Sequence, residues 1–427
     1  MKLKMNKYAL SSVSVAVLLV CVMPAKAEPL SLKLSESVIH DSNYGRNRQS
    51  DEEITSSTGI GLGLNKSYGR QVYTANAQYN IEKHKNFQSQ DNDNYNVTAG
   101  FLSGIASNWT IAINGGASEK LNSIESNPLG QRISKNMATS RDGSMNVQYG
   151  VAGRWSLLGS LGASRTSYSL ESYQYQNREQ NSGGLRLVYN TSDLLSFGFG
   201  FSKAGVDYPK QIVAGVPEEV RQRSLDFSSN WQVTGFSRLD AIISYTKNRY
   251  KSDPNAGYKG FTGRVAWDYK PSGLTAYSLS ASRSTNNDGS GTGLRNNLAG
   301  ETFYIPETGQ LVDGREVNTD LNSVTTSIDG RIRWTPTAKL GFNLGLGWDQ
   351  YDLNKTSTIG SRPQKTESNY TVASLSGDYA FSRAISAGCS LQHYKQSAES
   401  NPLLITTTQR LAHDGRLVSC SASFTID

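Results

Sequence analysis

From Leu30 onward, large apolar residues recur at every second position, and the residues between them are small or polar. Trp109, Ile111 and Ile113 alternate with Thr110, Ala112 and Asn114; Leu195, Phe197, Phe199 and Phe201 keep the same beat. So do Met145, Val147, Tyr149 and Val151, then Leu239, Ala241, Ile243 and Tyr245, and Leu340, Phe342, Leu344, Leu346 and Trp348. Period two is the mark of a strand with one apolar and one polar face. The pattern therefore predicts an all-β chain from end to end.

The links between these strands alternate between short and long. Short links fall at 65–69, 103–108, 153–154, 190–193, 234–237, 270–273, 335–338 and 381–383. Long ones fall near 41–53, 84–94, 118–142, 169–180, 203–222, 247–259, 284–320, 352–368 and 395–412. Outer-membrane barrels have this asymmetry, with tight periplasmic turns and long external loops. The links predict a transmembrane antiparallel up-and-down β-barrel of about 18 strands, or 16 if one hairpin is miscounted, with both termini on the short-turn side. Closure follows from the solvent: in hydrocarbon every backbone N–H and C=O must pair within the protein, so a spanning sheet has no free edge. Trp109, Trp155, Tyr189, Tyr269 and Trp334 near the turns, with Tyr79, Tyr168, Tyr245, Tyr351 and Tyr394 near the loops, are expected to form the two interfacial girdles. A large soluble β-sandwich or solenoid explains neither the alternation of links nor the aromatic residues on the outer face.

The N-terminus departs from this pattern. Lys2, Lys4 and Lys7 precede an apolar run over residues 8–22, and Ala25-Lys26-Ala27 forms a small-x-small site. These are the three parts of a secretory signal peptide, so residues 1–27 are read as signal and 28–427 as barrel. A lipoprotein signal ending at Cys21 fits less well, because Val20 stands where a small residue is needed. Removing the signal changes the charge: 43 Lys+Arg less four lysines is 39, against 36 Asp+Glu, so +7 falls to +3. The cations are scattered among acids with no basic helix, which argues against a nucleic-acid partner.

Candidate chemistry is sparse. His40, His84, His393 and His413 show no metal-ligand spacing, and no Gly-x-Ser-x-Gly elbow lies between a strand and a helix. No metal, no cofactor and no catalytic residue is expected, and the chain reads as a non-enzyme. The polar phase of the strands says more. By parity it carries Arg186, Asp226, Asn230, Asp240, Arg264, Asp268, Asp329, Arg331, Arg333, Asn343, Asp349 and Asp378 as lumen-lining candidates. A cation pointing into lipid at the midplane costs about 2–4 kcal/mol, so these groups belong on a wet interior. Cys389 and Cys420 share the apolar phase of the last two strands and can face each other there, as a disulfide or as two thiols. The loop 284–320, with Phe303-Tyr304-Ile305-Pro306, and the loop 203–222 are the candidates for a constriction at the mouth.

Several segments resemble one family. His40-Asp41-Ser42-Asn43-Tyr44-Gly45-Arg46 resembles the Asp-Asp-Asn-apolar-x-Arg opening of β-barrel porins encoded with exopolysaccharide synthesis genes, the EpsL type, with Ser42 in place of the second acid. Tyr68-Gly69-Arg70-Gln71 is similar to that family's Tyr-x-Arg-Gln turn, and Asn86-Phe87 and Asn94-Tyr95 follow as they do there. The last hairpin also resembles it, through Phe381-Ser382-Arg383 and Asn401-Pro402-Leu403, although the chain ends on Ile426-Asp427 and not on an aromatic residue. The resemblance implies a bacterial outer-membrane location and a part in exopolysaccharide export or secretion, as a passive polar channel or an accessory. The implied partners are outer-membrane lipid, the exopolysaccharide, and periplasmic or inner-membrane synthesis and export components. The alternatives are a general porin for small solutes and a closed barrel with a surface-binding or structural role.

Overall fold

The computed structural model describes residues 29–46, 51–106, 108–122, 134–150, 154–213, 216–252, 257–285, 302–305, 310–313, 319–357, 364–397 and 412–426. The signal-peptide expectation lies outside these residues, as do the Gly-rich run 289–293 and most of 395–412. The strands are β1 (Leu30–Asp41), β2 (Glu53–Tyr68), β3 (Gln71–His84), β4 (Asn92–Ile105), β5 (Trp109–Leu121), β6 (Met137–Tyr149) and β7 (Trp155–Tyr168). They continue as β8 (Arg178–Ser192), β9 (Leu195–Val213), β10 (Val216–Thr234), β11 (Ser237–Tyr250), β12 (Lys259–Tyr269) and β13 (Thr275–Thr285). After a separate hairpin of β14 (Thr302–Ile305) and β15 (Gln310–Asp313) come β16 (Thr319–Thr337), β17 (Leu340–Ser357), β18 (Gln364–Ala380), β19 (Ile385–Gln396) and β20 (His413–Ile426).

Every barrel strand pairs antiparallel with the next, and β1 pairs with β20 from Leu32 opposite Ile426 to Asp41 opposite Leu417. The sheet is therefore a closed 18-stranded barrel without an edge. With strands about 4.8 Å apart and tilted by about 40°, the backbone wall is about 35 Å across. Side chains from such a wall do not meet at the axis.

Register places the apolar phases of all strands on one surface. Leu195, Phe199 and Phe201 lie opposite Trp231, Phe227 and Leu225, and the last three lie opposite Leu239, Ile243 and Tyr245. In water these residues would be misplaced: Leu225 is 62% exposed and Phe199 66%. The surface is an outer wall suited to lipid. From Leu225 to Val233, eight residues rising about 3.4 Å each at a tilt of about 40° climb about 21 Å, close to the ~25 Å apolar band of a membrane barrel.

At the turn end, aromatic residues edge this band. Trp109 packs on Tyr149 with ring centroids 4.7 Å apart, and Trp155 on Tyr189 at 4.5 Å. Trp334 stacks on Phe342 at 5.5 Å. The loop-end girdle differs from expectation. Tyr79 and Tyr245 face outward, whereas Tyr168, Tyr351 and Tyr394 fall one residue off that phase and point inward, with Tyr394 buried.

Two further expectations change. Residues 203–213 and 216–222 are strand and not loop: β9 and β10 stay paired up to Val213 and Val216, with one register shift at Pro217/Glu218. Above the band the outer phase turns polar as well, and the apolar contrast that marks a strand disappears although the ladder continues. The aromatic segment of the longest loop forms β14, paired Phe303 to Val312 and Tyr304 to Leu311 and separate from the barrel sheet. Glu36 sits in the outward phase of β1 without disturbing its twelve-residue pairing with β2, because the neighbouring strand supplies donors: Ser56 Oγ at 2.9 Å and Thr58 Oγ1 both donate to its carboxylate.

Candidate functional site

The inner wall carries the chemistry, and it has two unlike arcs. All twelve candidate residues fall on the inward phase, and all of them lie between β8 and β18. Asp226 and Asn230 sit opposite Gly200 and Ser196, Asp240 opposite Ala266, Arg331 opposite Ser278 and Arg333 opposite Ala276. Arg264, Asp268, Asp329, Asn343, Asp349 and Asp378 continue this arc, which Arg186 begins.

Few of these charges neutralise one another. Asp240 takes Arg238 Nε at 2.8 Å and the amide of Asn230, which makes Arg238 an additional member of the arc. Arg186, Arg264, Arg331 and Arg333 form no ion pair among the described residues. Beside Arg186 the wall holds a recess of about 380 Å³, lined in part by Gln148, Ser160, Ser202 and Asp226. Ser202 Oγ donates to Asp226 at 3.3 Å, and Asn343 Nδ2 donates to Ser376 Oγ at 3.3 Å.

From β3 to β6 the inward phase is mostly neutral. Asn76, Gln78 and Asn80 of β3 face Thr98, Asn96 and Asn94 of β4. The arc continues through Asn114 and Ser118 on β5 to Ser144 and Ser140 on β6, with Asn146 and Gln148 below. Gln78 Nε2 donates to Asn80 Oδ1 at 3.0 Å, and Asn80 Nδ2 to Asn94 Oδ1 at 2.8 Å. Each amide offers two donors and an acceptor with two lone pairs. A search for charged residues passes over this arc; its sequence signal is Asn or Gln at successive i, i+2 positions.

The loop end of β1 to β4 and β19 forms a knot of polar groups. Asp41 accepts Arg46 Nη1 at 2.7 Å, the backbone N–H of Asn43 at 3.0 Å and the Tyr394 hydroxyl at 2.9 Å. Arg46 also lies 4.4 Å from the Tyr394 ring centroid. Glu53, fully buried, accepts backbone N–H groups from Ile54 at 2.9 Å, Lys85 at 2.7 Å, Asn86 at 3.1 Å and Phe87 at 2.8 Å. Tyr44 lies between these groups, its hydroxyl 3.1 Å from His84 Nε2 and its ring tilted against Phe87 with centroids 5.1 Å apart. Burial, helped by the charges of Glu53, Glu82 and Asp41, raises its phenol far above the usual tyrosine range. The knot anchors residues 42–46 and 51–52 and the 85–91 connection against the inner wall.

On the outer wall Cys389 lies directly opposite Cys420 and is bonded to it, with Cα atoms 4.1 Å apart. The bridge ties β19 to β20, one strand from the closing seam.

No family model matches the chain, and no curated protein does. Among solved structures, a variant of the ferric enterobactin receptor of Pseudomonas aeruginosa aligns over 95% of this chain and 81% of its own, at 9% identity and a TM-score of 0.48. The iron transporter FrpB of Neisseria meningitidis aligns over 94% of this chain and 82% of its own, at 8% identity and a TM-score of 0.47. OpdK of Pseudomonas aeruginosa, crystallised with vanillate, aligns over 93% and 98%, at 13% identity and a TM-score of 0.43. What the pairing and the outer wall define is a class, the closed 18-stranded transmembrane β-barrel.

Proposed function

We propose that this chain is an outer-membrane β-barrel that takes part in exopolysaccharide export, as a passive polar channel or an accessory to secretion. The observation that carries the reading is the neutral amide and hydroxyl arc of β3 to β6. A hydrated sugar chain exposes donors and acceptors at close intervals, and amides of both kinds replace water around it without holding it as an ion pair would. Passage needs such contacts to be numerous and individually weak. Direction comes from synthesis at the inner membrane, and the short turns are the surface on which periplasmic export components dock. The resemblance of Asp41-Ser42-Asn43-Tyr44-Gly45-Arg46 to the EpsL-type opening supports the same reading.

The test is deletion of the gene with polymer synthesis left intact. Export at less than roughly a tenth of the normal rate, restored by the full-length gene, supports the proposal; polymer reaching the medium at the normal rate sinks it. The charged arc favours a second reading, a general porin for small solutes. A large, stable single-channel current from a strain that exports polymer normally without the protein selects that reading instead.

A further inference from the structure

On the outer wall, just above the apolar band, four cations stand in one cross-strand row. Lys203 of β9 is directly opposite Arg223 of β10, Arg223 is opposite Lys247 of β11, and Lys247 is opposite Lys259 of β12. All four are exposed, and none forms an ion pair among the described residues. The neighbouring acids are engaged elsewhere: Asp207 and Glu219 hold Arg221, and Glu219 also meets Lys251. Like charges directly opposite in a sheet repel, so the row calls for an external anion.

The row beneath it says what kind of anion. Leu185, Phe201, Leu225, Tyr245 and Phe261 are register partners of one another, two residues nearer the membrane centre on each strand, and all are exposed. A cationic row about 15 Å long, at about 4.8 Å per strand, thus lies on top of an apolar one. A soluble anion matches only the upper row. We infer that this face binds a phosphorylated lipid whose headgroup carries more than one phosphate, its phosphates on Lys203, Arg223, Lys247 and Lys259 and its chains on the apolar row beneath. The inference rests on the barrel spanning a bilayer and not on what passes through it.

The test uses the full-length protein, purified, delipidated and held in neutral detergent. Bisphosphorylated lipid A is titrated and the bound fraction read by native mass spectrometry, with dephosphorylated lipid A, sodium phosphate and polygalacturonate as parallel probes. The expected result is a one-to-one lipid complex that weakens at least tenfold in the variant combining Lys203→Gln, Arg223→Gln, Lys247→Gln and Lys259→Gln. Lys66→Gln, an exposed cation at the turn end, is expected to bind as the parent does. Should the fourfold variant fail to fold, as read by heat-modified migration, Arg223→Gln with Lys247→Gln serves and is expected to weaken binding at least threefold. Equal binding by the variants, equal binding of the dephosphorylated lipid, or preference for phosphate or polygalacturonate overturns the inference. Polymer export and single-channel current are measured on the same variants; their being unchanged separates this site from the function of the lumen.

Discussion

Glu53 offers the sharpest test of how the loops are held. Its carboxylate is the shared acceptor for four backbone N–H groups, at 2.7 to 3.1 Å, three of them on consecutive residues of the 85–91 connection. Substituting Glu53→Gln keeps the volume but removes the charge, and it turns an NH2 group toward donors that need an acceptor. Each charge-assisted hydrogen bond is worth about 1.5–3 kcal/mol. Because the connection can open and let water satisfy part of what is lost, the net expectation is about 3 kcal/mol of local stability, not the sum of the bonds. At about 1.4 kcal/mol per factor of ten, amide hydrogen exchange at Lys85, Asn86 and Phe87 should accelerate by roughly a hundredfold. Mid-strand amides of the barrel should keep their protection, since local opening leaves the ladder closed. Exchange mass spectrometry on the full chain in detergent reads both. If residues 85–87 keep their protection within about threefold, the carboxylate is not what fixes the connection, and the account of the knot is wrong.

Three other outcomes follow from the same structure. Tyr44 has its proton held more tightly folded than unfolded, so its contribution to stability is complete below pH 10.0 and is lost as pH rises from there toward the raised folded value; ultraviolet difference titration against Tyr44→Phe should show no ionisation step from this residue near pH 10 while the fold persists. Arg46→Ala leaves the Asp41 carboxylate, 7% exposed, without its cation; the 42–52 connection should become cleavable by added protease at a rate roughly tenfold higher, and an unchanged digestion pattern counts against the ion pair as its anchor. Replacing Cys389 and Cys420 by Ser opens a cross-link of sequence separation 31. Chain-entropy arithmetic then gives a loss of about 3–4 kcal/mol, read as a lower temperature for heat-modified migration, with no loss refuting a stabilising bridge.

The fold was legible because a barrel wall writes itself into the chain at period two, and its turns and loops punctuate that beat. The register also places all twelve candidates on the phase opposite the apolar wall, since a polar or ionised side chain is costly toward lipid unless, like Glu36, it finds donors on the neighbouring strand. Legibility stopped wherever the two faces cease to differ. Above the membrane band both faces meet water, so Lys203 to Gln222 has the composition of a loop while it pairs as two strands. Tyr168, Tyr351 and Tyr394 were assigned to the girdle by position along the strand, but a single step in phase sends them inside. The knot at the mouth was out of reach for another reason: Tyr394 meets Asp41 across 353 residues of sequence, and only the closure of β20 on β1 brings them together.

That closure also decides how the parts of the wall can act together. The neutral arc lies on β3 to β6 and the charged candidates on β8 to β18, so a solute near the wall meets one character or the other according to its side. The arcs meet at the recess shared by Gln148 and Arg186. Asn80, Asn94 and Asn114 on β3 to β5, however, lie about half the circumference from Arg331 and Arg333 on β16. With the backbone wall about 35 Å across, a flexible chain touching these amides need not reach those two arginines. The knot of Asp41, Arg46 and Glu53 holds the mouth between the two arcs: through β2 it adjoins β3 of the neutral arc, and through Tyr394 of β19 it adjoins β18, where the charged arc ends. On the proposed export function, a polymer following the amides would leave past this anchored part of the rim, which the moving chain would not have to reorder. On the porin reading, small ions would have no such preference between the arcs. On this reasoning, substitutions at Asn80, Asn94 or Asn114 should alter polymer export more than ionic conductance, and substitutions at Arg331 or Arg333 should do the reverse; parallel changes in both quantities for both sets would mean that the two arcs do not divide the work.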